Sequence, residues 1–301
     1  MSSRAPRMPG RLNLRWPRAW RTPLGVIGTV VAAAWILVAF TAQWWVPFEP
    51  NAQVLPRLQA PGTDTLLGTD GTGRDIFSRL MTGATVTIPL ALTLVVAALV
   101  IGAVIGALAG YFGGWVDETL MRITDLFMAF PTVILAMVVA ALLGPSLFNA
   151  VIAAIVVSWP QYSRVTRSIV LSLRNQNYVI AGRLLGHSPA RTLVVDILPN
   201  VAGPLLVLAT LDIGAAILLL SGLSFLGLGA QPPTPEWGSM ISAAMQNFDA
   251  WWLGVFPGLA ILTVVLAFNF LGDALRDILD PTAEVTHEKQ TELVASSGGG
   301  A

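Results

Sequence analysis

The 301-residue chain has no cysteine and only two histidines. Without cysteine, neither a disulfide framework nor a thiolate metal site is available. His187 and His287 stand far apart with no carboxylate cluster around them, so no metal site is expected. No Ser/His/Asp or Cys/His arrangement offers a nucleophile for covalent catalysis. Charge is scarce as well: 11% of residues are charged, 54% are hydrophobic and the mean hydropathy is +0.70. A soluble domain so poor in charge would precipitate, which makes a membrane protein the default. The formal net charge of zero argues against nucleic acid as a partner.

What is abundant is uncharged sequence. A bilayer core needs roughly 20 apolar residues per helix. Six spans are predicted, at 24–46, 85–109, 120–143, 147–164, 201–220 and 252–271. No charge occurs from Leu126 to Ser163, and "GPS" at Gly144 to Ser146 supplies the turn that divides this run. The expected fold class is therefore all-α, a polytopic membrane protein with six transmembrane helices. The tail before the first span carries Arg4, Arg7, Arg11, Arg15, Arg18 and Arg21 and no acid. With that tail inside, alternating loops also place Arg122, Arg164, Arg167, Arg174, Arg183, Arg191, Arg276 and Lys289 inside, against Arg57, Arg74 and Arg79 outside. Basic residues mark the cytoplasmic face, so both termini are expected there. A cleaved signal peptide would have a shorter apolar core, and Trp44 and Trp45 read as interface anchors instead. The resulting layout is an Arg-rich cytoplasmic tail over 1–23, a first span over 24–46 and an external loop with an amphipathic segment over 47–84. The transmembrane domain covers 85–273, with a cytoplasmic loop at 172–200, and a polar, low-complexity tail covers 274–301.

That cytoplasmic loop holds "NYVIAGRLLGHSPARTLVVDILPN", Asn177 to Asn200. Residues 178–185 suit a short helix that Gly186 would stop in a left-handed turn. Ser188 and Pro189 then read as cap and first residue of a second helix. Leu193, Val194, Ile197 and Leu198 would form its apolar face. Such a helix–turn–helix either projects to meet a partner or lies on lipid headgroups.

The stretch resembles the cytoplasmic "EAA" loop of ABC-importer permeases, in which Glu-Ala-Ala, three residues and Gly precede Ile-x-Leu-Pro. Ala181, Gly186, Ile197, Pro199 and Asn200 fall on that pattern. "LGTDGTGRDIFSRL" (Leu67–Leu80) is similar to the external segment of the second, C-type permease of dipeptide and oligopeptide importers. "LSFLGLGAQPPTPEWGSMI" (Leu223–Ile241) and "FNFLGDALRDILDP" (Phe268–Pro281) resemble that subunit's C-terminal half. The chain departs from the family where Ile180 replaces the loop Glu, Gly182 the second Ala, and Leu220 an acid before "LSFLGLG". Docking must therefore lean on apolar contacts and arginines.

The resemblance implies a type I ABC-importer permease fold in the inner membrane and alternating access. It also implies a heterodimer with a homologous permease, two ATPase subunits that bind ATP and Mg, a substrate-binding protein outside, and a peptide substrate. The ATPase-coupling loop would comprise Tyr178, Ala181, Arg183, Gly186, His187, Ser188, Pro189 and Pro199. The same family admits nickel, glutathione or other small solutes. The chain itself is not the motor: its single lysine, Lys289, lies in the tail, whereas a phosphate-cradling glycine loop needs one. "GTDGTGRD" lacks the Lys-Ser/Thr end and reads as a glycine-rich turn leading into an amphipathic surface helix. No cofactor is expected in this chain.

Within the membrane, Gly102, Gly106 and Gly110 recur at intervals of four and form a face for close helix approach. Pro89, Pro131 and Pro160 are candidate kinks. Asp212 sits mid-span in "LATLDIGAA", where a carboxylate costs about 2.5–3.5 kcal/mol on insertion scales. It should face a water-filled path or a polar partner, and is the candidate residue of the translocation path. A proton-coupled secondary transporter would use it as the titrating group, although no internal repeat is visible. A non-transporting scaffold is the remaining alternative.

Overall fold

The structure, a computed structural model, describes residues 23–279. The arginine tail and the end of the C-terminal tail lie outside the described residues. Among the described residues there are ten α-helices and no strand. α1 (Pro23–Thr41) continues through a 3₁₀ turn to Trp44. α2 (Ile76–Phe112), α3 (Gly114–Met128), α4 (Thr132–Leu143) and α5 (Leu147–Leu173) follow. The short α6 (Asn177–Leu184) and α7 (Pro189–Arg191) precede a π-helical turn, Thr192–Ile197, that runs into α8 (Leu198–Phe225). α9 (Trp237–Ala244) and α10 (Trp252–Leu279) complete the order.

All six apolar segments are helical, with two corrections to the expected spans. Among the described residues, four helical stretches are long and apolar enough to cross a membrane: 23–44, 76–112, 189–225 and 252–279. The segment expected as one span over 120–143 is instead α3 and α4, bent by 90° at the break. Pro131 caps α4 and has no N–H to continue α3, and it also disfavours helical geometry in Phe130. α4, with 12 residues, reaches only about 18 Å, so it cannot cross alone. α5 is long enough at 27 residues, but Ser158, Gln161, Ser163, Arg164 and Arg167 make it more polar than the other spans. Pro89 and Pro160 remain inside continuous helices.

The glycine face of α2 packs on α5. A Cβ at Gly102 would stand 2.5 Å from that of Tyr162, one at Gly106 2.8 Å from that of Thr166, and one at Gly110 2.9 Å from that of Val170. With lipid as apolar as leucine, such close approach is what holds membrane helices together. Two ion pairs also tie α3 to α5: Arg167 Nη2 donates to Asp117 at 2.7 Å, and Arg164 to Asp125 at 2.6 Å.

At the opposite end from α6, the 45–75 loop is anchored by charge. Asp70 Oδ1 accepts from the Thr72 N–H at 2.8 Å, the Thr72 hydroxyl at 2.7 Å and the Arg74 N–H at 3.1 Å, while Oδ2 accepts from Arg74 Nε at 2.6 Å. Buried Arg79 donates to the Pro50 and Pro233 carbonyls and to Asn51. Asp75 caps α2 through the Ser78 N–H at 2.8 Å. Ile76, Ser78, Arg79 and Leu80 are buried, so "GTDGTGRD" leads into a core helix and not into the amphipathic surface helix expected.

Burial alone would raise the Asp70 carboxyl, but the hydrogen bonds from Arg74 and Thr72 outweigh it and hold it below the usual carboxylate range. A lowered folded pKa stabilises fully above the unfolded value and is lost as pH falls through the folded one. Acidification below about pH 4 should therefore speed amide exchange over 55–76 before the helical spans respond. Uniform exchange across both regions would count against this.

Candidate functional site

The bend between α6 and α7 has the geometry the sequence implies. Gly186 adopts φ +87°, its N–H donates to the Arg183 carbonyl and the His187 N–H to that of Gly182, each at 3.0 Å. This returning pair satisfies carbonyls at the end of α6. The Ser188 hydroxyl accepts from the Arg191 N–H at 3.4 Å, and Pro189 opens α7. Arg183 lies over the Tyr111 ring at 4.9 Å, which tethers α6 to the end of α2. Asn200 donates to the Tyr178 hydroxyl at 3.4 Å. Ala181 is exposed, and Pro199 lies in the first turn of α8.

Two features depart from expectation. The second helix does not stand apart: α7, the π turn and α8 form one path from Pro189 to Phe225. Nor do the four apolar residues share a docking face, because Ile197 is buried and Leu193 packs on the core, leaving Val194 and Leu198 outward. The exposed apolar tip is instead Leu184 and Leu185, each 83% exposed.

Asp196, which sequence reasoning missed, sits with its Oδ2 3.0 Å from His187 Nδ1 and locks the bend against the π turn. Gly182 now has a reason: a Cβ there would stand 2.9 Å from Asp196 Oδ2 and 3.0 Å from His187 Nδ1. Gly182→Ala should break this pair and speed amide exchange over 186–197, with bundle stability unchanged within about 1 kcal/mol. Unchanged exchange would show that the pair does not hold the bend.

Farther along α8, a cavity of about 510 Å³ opens between α2, α3, α4, α5 and α8. Leu94, Phe127, Val133 and Leu219 contribute apolar wall, while Asp212, Gln161, Tyr162 and Ser158 contribute polar groups. Gln161 donates its amide to Asp212 Oδ2. Tyr162 is buried, with its hydroxyl close to the same carboxylate but outside hydrogen-bonding geometry. Gln161 was legible in principle, as a polar residue within a long uncharged run, but its partner was not.

A family model described as binding-protein-dependent transport system inner membrane component matches residues 102–285. The chain belongs to this family. It is 46% identical over 278 residues to the nickel transport system permease protein NikC of Escherichia coli (strain K12), covering 92% of this chain and 99% of that protein. It is 45% identical over 274 residues to the dipeptide transport system permease protein DppC of the same strain, covering 88% and 91%. The DppC of Alkalihalophilus pseudofirmus is 42% identical over 264 residues. A solved structure of the MetNI methionine ABC transporter, inward facing, matches with TM-score 0.54 at 18% identity, covering 67% of this chain and 97% of that one, a likeness of fold. This protein is thus an ABC-importer permease of the type I fold and a multi-pass inner-membrane component.

Proposed function

We propose that this permease forms half of the membrane pathway of an ATP-driven importer for di- or oligopeptides. It pairs with a homologous permease, two ATPase subunits that bind ATP and Mg, and an extracytoplasmic binding protein. The cavity carries the peptide reading. At about 510 Å³ it lies within the roughly 300–1,000 Å³ typical of small-molecule sites, and mixes apolar wall with a few polar groups. Nickel is the second reading, favoured by the 46% identity to NikC. Reconstituted importer supplied with ATP should accumulate labelled dipeptide; accumulation of nickel ion alone would replace the peptide reading.

The coupling step follows from helix continuity. Exposed Leu184 and Leu185 enter a groove on an ATPase subunit, as helix-in-groove docking requires. Closure of the motor pair pushes α6, and the bend passes the displacement to the helical path that carries Asp212. From Pro189 to Asp212 that path is about 35 Å long. The π turn at its base serves as the hinge, since such turns interrupt regular helix bonding.

Both termini and the loop around α6 then face the cytoplasm. Because the chain has no cysteine, single Cys substitutions report topology directly. Thr72→Cys should react with an impermeant thiol reagent in intact cells, and Ser188→Cys should react only after lysis. Labelling of Ser188→Cys in intact cells would invert the topology and remove the coupling role from α6.

A further inference from the structure

We propose that Asp212 and Gln161 form a cation subsite that receives the positively charged group of the solute, the free ammonium of a peptide, midway along the bundle. The assignment rests on the importer reading above and adds the chemistry by which the path recognises its cargo.

Three observations carry it. First, Asp212 is less well partnered than the other carboxylates packed among the helices and loops. Buried Asp75 and Glu236 lack a cation among the described residues, but each caps a helix: Asp75 accepts from the Ser78 N–H and hydroxyl, and Glu236 from the Gly238 and Ser239 N–H groups and the Ser221 hydroxyl. Asp70 has Arg74 at 2.6 Å, Asp125 has Arg164 at 2.6 Å, Asp117 has Arg167 at 2.7 Å, and Asp196 has His187 at 3.0 Å. Asp212 makes no ion pair among the described residues, and its hydrogen-bond partner is the neutral amide of Gln161. A carboxylate at mid-span depth normally has a partner or faces water.

Second, the pair leaves two acceptor oxygens, and the hydroxyls beside it in the cavity, Tyr162 and Ser158, carry no charge to neutralise the carboxylate. Gln161 uses its amide N–H on Asp212 Oδ2, which leaves the Gln161 carbonyl oxygen and Asp212 Oδ1 as acceptors. An ammonium group presents three donors and a positive charge, so it satisfies both oxygens and neutralises the carboxylate. Third, the pair lines the cavity of about 510 Å³ instead of being sealed between helices, so a solute group has room to arrive. The aliphatic and aromatic walls from α2, α3 and α4 leave charge recognition to this pair.

The same acceptors would take a divalent cation, and the experiment separates the two sources. Complete importer, with binding protein outside and ATP supplied to the ATPase subunits, is reconstituted with wild-type permease, Asp212→Asn or Asp212→Glu. Uptake of a labelled dipeptide with a free amino terminus and of radioactive nickel ion is measured, together with subunit composition. Asp212→Asn keeps the amide contact but removes the charge; it should slow dipeptide uptake about 10- to 100-fold, the usual worth of a hydrogen bond to a charged group. Asp212→Glu should stay within a few-fold of wild type.

Dipeptide uptake by Asp212→Asn at the wild-type rate overturns the subsite, as does equal loss in both variants. Nickel uptake that depends on Asp212, without dipeptide uptake by wild type, keeps the subsite but ends the peptide reading. Should Asp212→Asn fail to assemble, the wild-type complex is treated with a hydrophobic carbodiimide and modification of Asp212 is read by mass spectrometry. Protection by dipeptide or nickel ion supports the subsite, and unprotected modification overturns it.

Discussion

Gly106→Leu should abolish accumulation of folded permease, the largest loss expected from any single change in the bundle. A Cβ at position 106 would overlap the Ser163 carbonyl and stand 2.8 Å from the Thr166 Cβ and 3.0 Å from the Arg167 N. Two of these obstacles are backbone atoms of α5, which cannot rotate away as a side-chain tip can. Overpacking in a core typically costs about 1–3 kcal/mol, and a leucine wedged against backbone lies at or beyond the upper end. Relief requires α2 and α5 to separate along the seam, which also exposes Gly102 and Gly110 to a gap. The Arg167–Asp117 and Arg164–Asp125 pairs then lose the frame that aligns them. Gly203→Ala is the control, because a Cβ there meets nothing within 4 Å and helix propensity improves by up to about 1 kcal/mol. Detergent-extracted yield and thermal unfolding should fall sharply for the first variant and hold for the second. Normal yield of Gly106→Leu would mean the seam is looser than its glycines indicate.

Gly186→Val should have the opposite profile: an inserted, folded permease that no longer converts ATP hydrolysis into uptake. Nothing lies within 4 Å of the Cβ position, so steric clash with neighbours plays no part. The cost comes from φ +87°, a left-handed conformation that penalises an L side chain by about 1–2 kcal/mol, with a β-branched residue at the unfavourable end. That is minor for the spans and large for a turn whose only duty is to aim α6. If the turn relaxes to negative φ, Leu184 and Leu185 point elsewhere. With Ile180 where the family has an acid, apolar contact at this tip carries more of the proposed docking. Gly186→Asn separates geometry from side-chain chemistry, because Asn tolerates left-handed geometry better than other non-glycine residues. Uptake per ATP should collapse for Val and largely survive for Asn, with permease pairing intact in both. Full coupling in the Val variant would remove the bend from the mechanism and return α6 to the role of an interfacial helix.

Much of the permease was legible in its sequence because the deciding effects are local. A bilayer accepts only runs that are apolar and internally hydrogen-bonded, so absence of charge marks the helices without knowledge of their neighbours. The bend at Gly186 and the cap at Ser188 each depend on a few consecutive residues. The four-residue glycine interval defines a face before its partner is known. Family membership followed from motifs in order along the chain.

Tertiary structure decided what depends on residues distant in sequence. Hydropathy has no term for direction, so α3 and α4 read as one span although they turn by 90° at Pro131. Arg79 looked like an external charge, but its acceptors lie 28, 29 and 154 positions away and bury it. The glycine face found α5, some 60 residues on, because Trp159, Ser163 and Arg167 present their backbone to it. The partner of Asp212 is 51 positions away on another helix, and no local pattern links the two. A lone carboxylate in an apolar run announces that something polar must meet it; only the packing of α5 against α8 determines that this is a neutral amide, leaving the charge itself unpaired.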